Sequence, residues 1–470
     1  MNVKMLLSKF MSAVILLGSG AFLPTGSQEL GDLDKFETAL KQDGFIVTPG
    51  EVTDYNLAKA WCDNKPGIES GLYTNNEPYL ILNVPESAGN PTPAQAFQIR
   101  PDEAIVLIGL TPPPEKYFAF YPFLDTKVYP DGTKLPSGIV LGDAVNNLTI
   151  KTAGPTAFNS PVALIFTPDK ETDARIRAAL HRAGYPEVMI NTVVFPATML
   201  KLGYGDNADK LRIQMRNAFW ENQTDGEAYI TNPPLHLFRL TPGTPADPNP
   251  FPAPRQRVRG TGLSEMDLMH KLEELRAGIM AANLGLYASE LLPVPGLGEF
   301  DTYDNLQRGI NVYGEARDAF VLNAGYVPEF TSNDELTLAD DEFLMIYGVN
   351  HVATGKSTYM SLNFYSGNVG KVVIGSVADD MFPGTASPYL ADGDPAGDLM
   401  YAFKVSRSCG SEPNCIQLSS KDCPRLSVDS NTMLGLIWRM YLEPATKVGA
   451  ANHEVLWDRV IKFSPQAPQP

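Results

Sequence analysis

Cysteine and positive charge are both scarce in this sequence. Its 470 residues include four Cys, and 37 Lys and Arg stand against 54 Asp and Glu, which gives a formal net charge of −17. Four cysteines are too few for a small, disulfide-dense scaffold. The acidic excess argues against nucleic-acid binding, which needs clustered Lys and Arg, and against electrostatic docking on anionic membranes. We therefore expect no nucleic-acid partner.

Common catalytic signatures are missing as well. The sequence contains neither a G-x-S-x-G nucleophile elbow nor an H-E-x-x-H zinc motif. A Ser–His–Asp triad built from residues far apart in the chain stays open, because triads are defined by geometry. The sequence therefore does not decide whether the protein is an enzyme.

A basic start followed by an apolar run marks the N-terminus. Lys4 and Lys9 precede the apolar stretch from Phe10 to Leu23. This order is typical of a secretory signal peptide, and the run is shorter than the ~20 residues that a membrane-spanning helix needs. No later stretch reaches 18 uninterrupted apolar residues. We predict a signal peptide over 1–27 and a secreted protein, extracellular or periplasmic, with no membrane insertion after cleavage.

Export would make disulfides possible. Cys409, Cys415 and Cys423 lie close together in the sequence, whereas Cys62 stands alone. Four cysteines allow three pairings, and the sequence does not choose among them. The clustering favours a local bridge between two of the three neighbours, with Cys62 joining the remaining one across the fold.

A repeated order of short motifs links the two halves of the chain. The segment 102–109 (DEAIVLIG) recurs as 341–348 (DEFLMIYG), and an aromatic-rich strand follows each copy. Further short matches continue in the same order, which we interpret as an internal duplication. The pattern predicts an α+β protein with two related β-rich lobes, mostly antiparallel sheets and a helical connector.

Composition sets the expected domain boundaries. Residues 241–254 contain six prolines, and such a run cannot form a helix interior or a central strand. Helical spacing and capping residues predict a helix beginning at Ser264, another over about 301–323 and a third over about 430–442. The expected organisation is a signal peptide over 1–27, an N-terminal α+β lobe over 28–243, a Pro-rich linker and helical connector over 244–330, and a C-terminal α+β lobe with a Cys-rich loop over 331–470.

The loop between two strands at 348–359 is the most site-like stretch. It is polar, flanked by glycine and carries His351, one of only five histidines. Functional groups concentrate in such loops, although a hydrogen-bonded structural histidine is the alternative. The predictions are acid–base or other catalytic roles for His351, Lys356 and Tyr359, and ligand binding by Asn350 and Thr354.

The corresponding strand of the first copy is rich in tyrosine. Tyr117 and Tyr121 fall on one face of that strand, and Lys116 directly precedes it. Aromatic residues at a period of two pack against neighbours more often than they bind ligands. As the functional alternative, we predict that these three residues bind a ligand in a cleft between the lobes.

Three acidic residues, Asp392, Asp394 and Asp398, lie in a loop that contains glycine. Their carboxylates would suit calcium, although the spacing does not complete an EF-hand. Calcium is thus the one cofactor that the sequence suggests, with an ordinary acidic turn as the alternative.

Two functions fit these features. The first is a secreted hydrolase or lyase of unknown substrate that acts in the cleft between the lobes. The second is an extracellular protein that binds a small molecule or glycan without catalysis.

Overall fold

The computed structural model describes residues 31–65, 78–88, 90–296, 302–310, 316–327, 332–420 and 423–465. The signal peptide predicted over 1–27 lies outside these residues. The described chain is mixed α and β with mostly antiparallel sheets, which confirms the predicted class. No described helix is long and apolar enough to cross a membrane.

The first lobe contains two sheets, in the orders β1-β12-β5-β9-β10 and β2-β3-β11-β6-β7. Its strands are β1 (Phe45–Pro49), β2 (Glu51–Asp54), β3 (Tyr79–Ser87), β4 (Asn90–Ala94), β5 (Ala104–Leu110), β6 (Glu115–Val128), β7 (Lys134–Val140), β8 (Val145–Asn146), β9 (Pro161–Thr167), β10 (Ile190–Val194), β11 (Lys210–Trp220) and β12 (Leu235–Pro242). Its helices are α1 (Leu33–Gln42), α2 (Leu57–Cys62), α3 (Lys170–Arg182) and α4 (Gln223–Thr231). The helix α3 connects β9 to β10, and these two strands are parallel.

The second lobe contains sheets in the orders β13-β23-β17-β20-β21 and β14-β15-β22-β18-β19. Its strands are β13 (Tyr287–Leu291), β14 (Val294–Pro295), β15 (Ala319–Val327), β16 (Ser332–Asn333), β17 (Phe343–Val349), β18 (Tyr359–Ser366), β19 (Val373–Ala378), β20 (Met400–Ser406), β21 (Cys415–Gln417), β22 (Leu434–Tyr441) and β23 (Arg459–Ser464). Its helices are α5 (Met269–Ala282) and α6 (Thr302–Gln307).

The strand order of the second lobe matches that of the first, position by position. Even the last pair is parallel in both lobes, although a Cys-rich loop stands where α3 stands in the first lobe. This agreement is what an internal duplication predicts, and the duplication itself remains our interpretation.

A buried polar trio repeats with the strands. In the first lobe, Glu103 accepts hydrogen bonds from Arg239 and Thr241, and both charged side chains are 0% exposed. At the equivalent strand positions of the second lobe, the trio is Glu342, Lys462 and Ser464. There the charged side chains keep 17% and 20% of their surface exposed. The two lobes thus share one hydrogen-bonding arrangement at different depths.

The strands are apolar on both faces because both faces are covered. In β5, Ile105 and Leu107 pack against the second sheet, while Val106 and Ile108 pack beneath α1 and α3. The strand β17 is buried in the same way between its partner sheet and α5. This double burial explains the continuous apolar runs of the sequence.

The lobes meet through the outer faces of their second sheets. Residues of β6 and β11 pack there against residues of β18 and β22, and we call this contact the seam. The layers therefore run from α1 and α3 through two sheets of the first lobe, across the seam, and through two sheets of the second lobe to α5.

Three sequence predictions change. The strands β13 to β15 belong to sheets of the second lobe, so that lobe begins before residue 331. One helix was expected over about 301–323. The described residues there form the short helix α6 and, from Ala319, the strand β15. The helix expected over about 430–442 is the strand β22, whose residues are all buried between the core and the seam.

The helix beginning near Ser264 is confirmed, since Ser264 caps a short 3₁₀ turn that leads into α5.

Two disulfides have the favoured pairing, Cys62–Cys423 and Cys409–Cys415. Cys62 ends α2 of the first lobe, and Cys423 belongs to the second lobe, so this bond joins the lobes covalently. Beside it, Trp61 packs against Gly370, and the Arg425 guanidinium lies 4.3 Å from the Trp61 ring centroid.

The Pro-rich linker runs from β12 to the turn at Glu265 without a helix or strand, as its composition predicts. It is nevertheless fastened to both lobes. The backbone N–H of Arg257 donates to Asp143 of the first lobe at 2.6 Å, and Arg317 of the second lobe donates to the same carboxylate at 2.8 Å. The linker is therefore held in place rather than free to swing.

Candidate functional site

His351 lies inside the protein. Its side chain is 0% exposed, and Nδ1 lies 2.9 Å from a carboxylate oxygen of Glu265. On the other side, Nε2 lies 3.7 Å from the Asp458 carboxylate, which accepts a hydrogen bond from the Tyr401 hydroxyl. The histidine thus sits between two buried acids.

The charge state of this cluster follows from its geometry. Burial alone would lower the pKa of His351, but the charges and hydrogen bonds of Glu265 and Asp458 outweigh it and raise the pKa to about 10. For Glu265, burial raises the pKa, but His351, the Thr354 hydroxyl and the backbone N–H of Leu456 together lower it below its ordinary value. A protonated histidine held by the carboxylate of Glu265 is the arrangement of a structural ion cluster.

This cluster predicts a pH-dependent stability. Because the folded protein keeps His351 protonated above its unfolded pKa of about 6.5, the stabilisation is complete below that pH and is lost as pH rises towards 10. Between pH 7 and 9, the wild-type free energy of unfolding should fall by about 1.4 kcal/mol per pH unit more than that of His351→Gln. Urea unfolding of both proteins across that range measures the difference. Parallel pH profiles would contradict the assignment.

The other predicted residues of this loop also make ion pairs or hydrogen bonds within the protein. The Lys356 ammonium is 5% exposed and pairs with Glu443, at 2.8 Å, and with Glu454. Burial raises the pKa of Glu454, but Lys356 and two backbone N–H groups of the linker lower it to about 2. Thr354 donates to Glu265, and the Asn350 side chain accepts from the backbone of its own turn. The loop therefore fastens the linker to the second lobe.

The three predicted tyrosines lie in the seam. Tyr117 and Tyr359 are 0% exposed and Tyr121 is 1% exposed. Tyr441 stacks on both Tyr117 and Tyr359, with ring centroids 4.7 and 5.8 Å apart. The open cleft expected at these residues is therefore absent from this part of the structure, because the lobes close over it.

The seam also encloses an acid. Asp318 of the second lobe accepts hydrogen bonds from Tyr117, at 3.1 Å, and from Asn146, at 3.1 Å, both of the first lobe. Burial raises the pKa of Asp318 to about 7, against the opposing effect of these two donors. The contact ties the lobes together through polar groups as well as aromatic rings.

Lys116 lies at the edge of the seam, where its side chain is 33% exposed. Its ammonium pairs with Asp379 of the second lobe and lies 5.1 Å from the ring centroid of Phe219. Of the three predicted ligand-binding residues Lys116, Tyr117 and Tyr121, Lys116 is therefore the one that remains near solvent.

A cavity of about 430 Å³ opens next to Lys116, where the lobes meet, and we call it the seam cavity. Its wall combines aromatic and polar side chains, chiefly Phe219, Trp220, Gln223, Glu227 and Thr231 of the first lobe and Asp380 of the second. Tyr359 contacts this wall through Phe219, since the ring centroids of the two residues lie 5.1 Å apart.

Local sequence builds this wall from the end of β11 and from α4. Asn222 caps α4 by accepting from the backbone N–H groups of Thr224 and Asp225. A Cβ atom at Gly226 would overlap the Trp220 indole, so glycine allows the helix to lie directly on the ring. The turn is completed by Phe219, which adopts a left-handed φ of 61° that non-glycine residues rarely use.

The predicted calcium site is not formed. Among the described residues, no group of three or more His, Cys, Asp or Glu side chains is placed to hold a metal ion. Asp394 instead pairs with Lys271 at 2.8 Å and caps a short helical turn, while Asp392 and Asp398 are exposed. The three carboxylates therefore do not converge on one point in the described structure.

Sequence reasoning missed the residues of the seam cavity. The one available signal was that 216–224, which contains Phe219 and Trp220, resembles 439–446 in the second copy. That resemblance marks a shared strand end, as the left-handed φ of 52° at Leu442 in the second lobe confirms. It does not reveal a cavity, because the second lobe places no equivalent of α4 after Leu442.

Comparisons with known proteins add little to this geometry. No protein-family model and no curated protein matches the chain. Among solved structures, it is similar to the VPA0106 protein of Vibrio parahaemolyticus, with 12% identity, 91% of this chain and 99% of that one covered, and a TM-score of 0.40. It is also similar to an uncharacterized protein of Burkholderia cenocepacia, with 12% identity, coverage of 91% and 86%, and a TM-score of 0.38. Function therefore has to be argued from the residues of this chain.

Proposed function

We propose that this protein is a secreted, extracellular or periplasmic binding protein that holds a neutral saccharide in the seam cavity. The observation that carries the proposal is the wall of that cavity, where Phe219 and Trp220 stand beside polar side chains from both lobes. Binding sites commonly combine apolar and aromatic walls with a few convergent polar groups.

The chemistry of a sugar matches this wall. The C–H face of a pyranose carries partial positive charge and fits the negative face of an aromatic ring, while its hydroxyls need donors and acceptors around them. Gln223 donates one amide N–H to Glu227 and can offer the other, while Thr231, whose hydroxyl donates to the Glu227 backbone, can accept. Glu227 and Asp380 accept. The two carboxylates disfavour an anionic ligand, which is why we propose a neutral one.

A location outside the cytoplasm agrees with two disulfides, since such bonds persist in oxidising compartments. The basic and apolar N-terminal segment supports the same location.

Tryptophan fluorescence offers a direct test. Titration with a panel of neutral disaccharides and trisaccharides should change the emission of the wild type. Trp220→Ala should weaken binding by at least about 30-fold in calorimetry, since truncating a central aromatic anchor typically costs 2 kcal/mol or more. Trp457→Ala, which removes a partly buried indole outside this cavity, is the matched control.

A second variant guards against misfolding. Gln223 is exposed on α4, so Gln223→Ala should fold normally and still weaken binding. Failure of every saccharide to bind, or equal affinity of the wild type and both cavity variants, would overturn the proposal.

A hydrolase or lyase at the same cavity is the second candidate. Glu227 and Asp380 bring one carboxylate from each lobe to the wall, and glycoside cleavage commonly uses a pair of carboxylates. Release of reducing ends from the panel, abolished by Glu227→Gln or Asp380→Asn, would support catalysis. Loss of turnover in His351→Gln, with binding intact, would instead support the acid–base role predicted from the sequence.

A further inference from the structure

We infer that the first lobe contains a second binding site, separate from the seam cavity, that accepts a sugar acid through its carboxylate. The site is a cavity of about 480 Å³ between the β3–β4 hairpin and the loop that precedes β11. The residues that carry the argument are Ser87, Arg100, Tyr204 and Lys210.

The ring of Tyr204 is fixed at this cavity and remains 44% exposed. Its hydroxyl donates to Glu103 at 2.6 Å and accepts from Arg239 at 2.9 Å. The loop that carries it is fastened by Gln98, whose amide bonds to the backbone of Gly205 in both directions. The aromatic face is therefore positioned before any ligand arrives, which lowers the entropy lost on binding.

Two cationic side chains, Arg100 and Lys210, line the cavity, and one of them has no ion-pair partner among the described residues. Glu86 accepts from the Asn90 amide, and Arg100 is paired with Asp102 through two of its nitrogens. Lys210 is exposed at the start of β11, and within the described part of the chain its ammonium makes no hydrogen bond or ion pair. A ligand carboxylate would find this ammonium and the Ser87 hydroxyl on the polar side of the cavity.

The second lobe allows a comparison that bears on the role of Tyr204. It repeats the polar trio beneath this cavity, with Glu342 held by Lys462 and Ser464. Among the described residues, no tyrosine hydroxyl bonds to Glu342, so this arrangement forms there without a counterpart of Tyr204. A fixed, half-exposed ring beside an unpaired lysine is better explained as a binding surface for a sugar that carries a carboxylate.

Calorimetry with sodium glucuronate, and with glucose as the neutral analogue, tests the inference. The wild type should bind glucuronate more tightly than glucose. Lys210→Met, which keeps the length of the side chain, should weaken glucuronate binding at least about tenfold, because a charge-assisted hydrogen bond contributes about 1.5–3 kcal/mol. Lys170→Met makes the same charge change at an exposed position on α3 and should alter the affinity less than about twofold.

Each result counts for or against the site. Trp220→Ala should leave glucuronate binding unchanged, so this site can fail or succeed independently of the seam cavity. Absence of glucuronate binding, equal affinity for glucose, or equal effects of the two lysine variants would overturn the inference.

Discussion

Replacing both Cys62 and Cys423 by alanine is expected to lower the free energy of unfolding by about 2–5 kcal/mol. This disulfide spans 361 residues and joins the two lobes, so its loss frees a long loop in the unfolded chain. The Cys409–Cys415 disulfide spans 6 residues, and its removal by the same substitutions should cost clearly less. Urea unfolding of the two double variants beside the wild type measures the difference.

Chemical reduction provides an independent check on these two variants. Reduction of the wild-type protein breaks both disulfides and should therefore reproduce the summed loss of the two double variants. Equal costs for the long-range and local disulfides would contradict the idea that the inter-lobe bond contributes by restricting the unfolded chain.

Glu103→Gln is expected to destabilise the protein by about 3–5 kcal/mol, because it leaves Arg239 as a buried charge without its full partner. The matched variant Glu342→Gln removes the equivalent acid in the second lobe, where the pair with Lys462 is partly exposed. That change should cost about 1 kcal/mol. Chemical denaturation of the two variants measures both values on the same fold.

A third variant tests the cause. If the cost of Glu103→Gln comes from the orphaned charge, then adding Arg239→Met should restore much of the lost stability. A double variant that is less stable than Glu103→Gln alone would mean that the pair itself, and not the unpaired arginine, carries the energy.

The sequence allowed much of the scaffold to be predicted. Met360, Leu362 and Phe364 alternate along β18 and face the core, although every residue of that strand is buried. The favoured disulfide pairing followed from the spacing of the cysteines, and the helix near Ser264 from its spacing and capping residues. The segment 434–441 misled because a short, mostly apolar run fits a buried strand as well as a helix.

The site was less predictable because it depends on contacts between distant segments. The polar loop around His351 suggested exposure, but Glu265 comes from 86 residues earlier in the chain to bury it. The tyrosine face of β6 has the same pattern whether it lines a cleft or a closed seam, and only the docking of the second lobe decides between them. The seam cavity arises from α4, whose position on Trp220 depends on one glycine.

The way in which the halves are joined has a consequence for proteolysis. A single cut in the Pro-rich linker would leave the two fragments bound to each other, covalently through Cys62–Cys423 and non-covalently through the seam. On a denaturing gel, the nicked protein would migrate as one species until a reducing agent is added. Cleavage there would therefore not release either half into the surrounding medium.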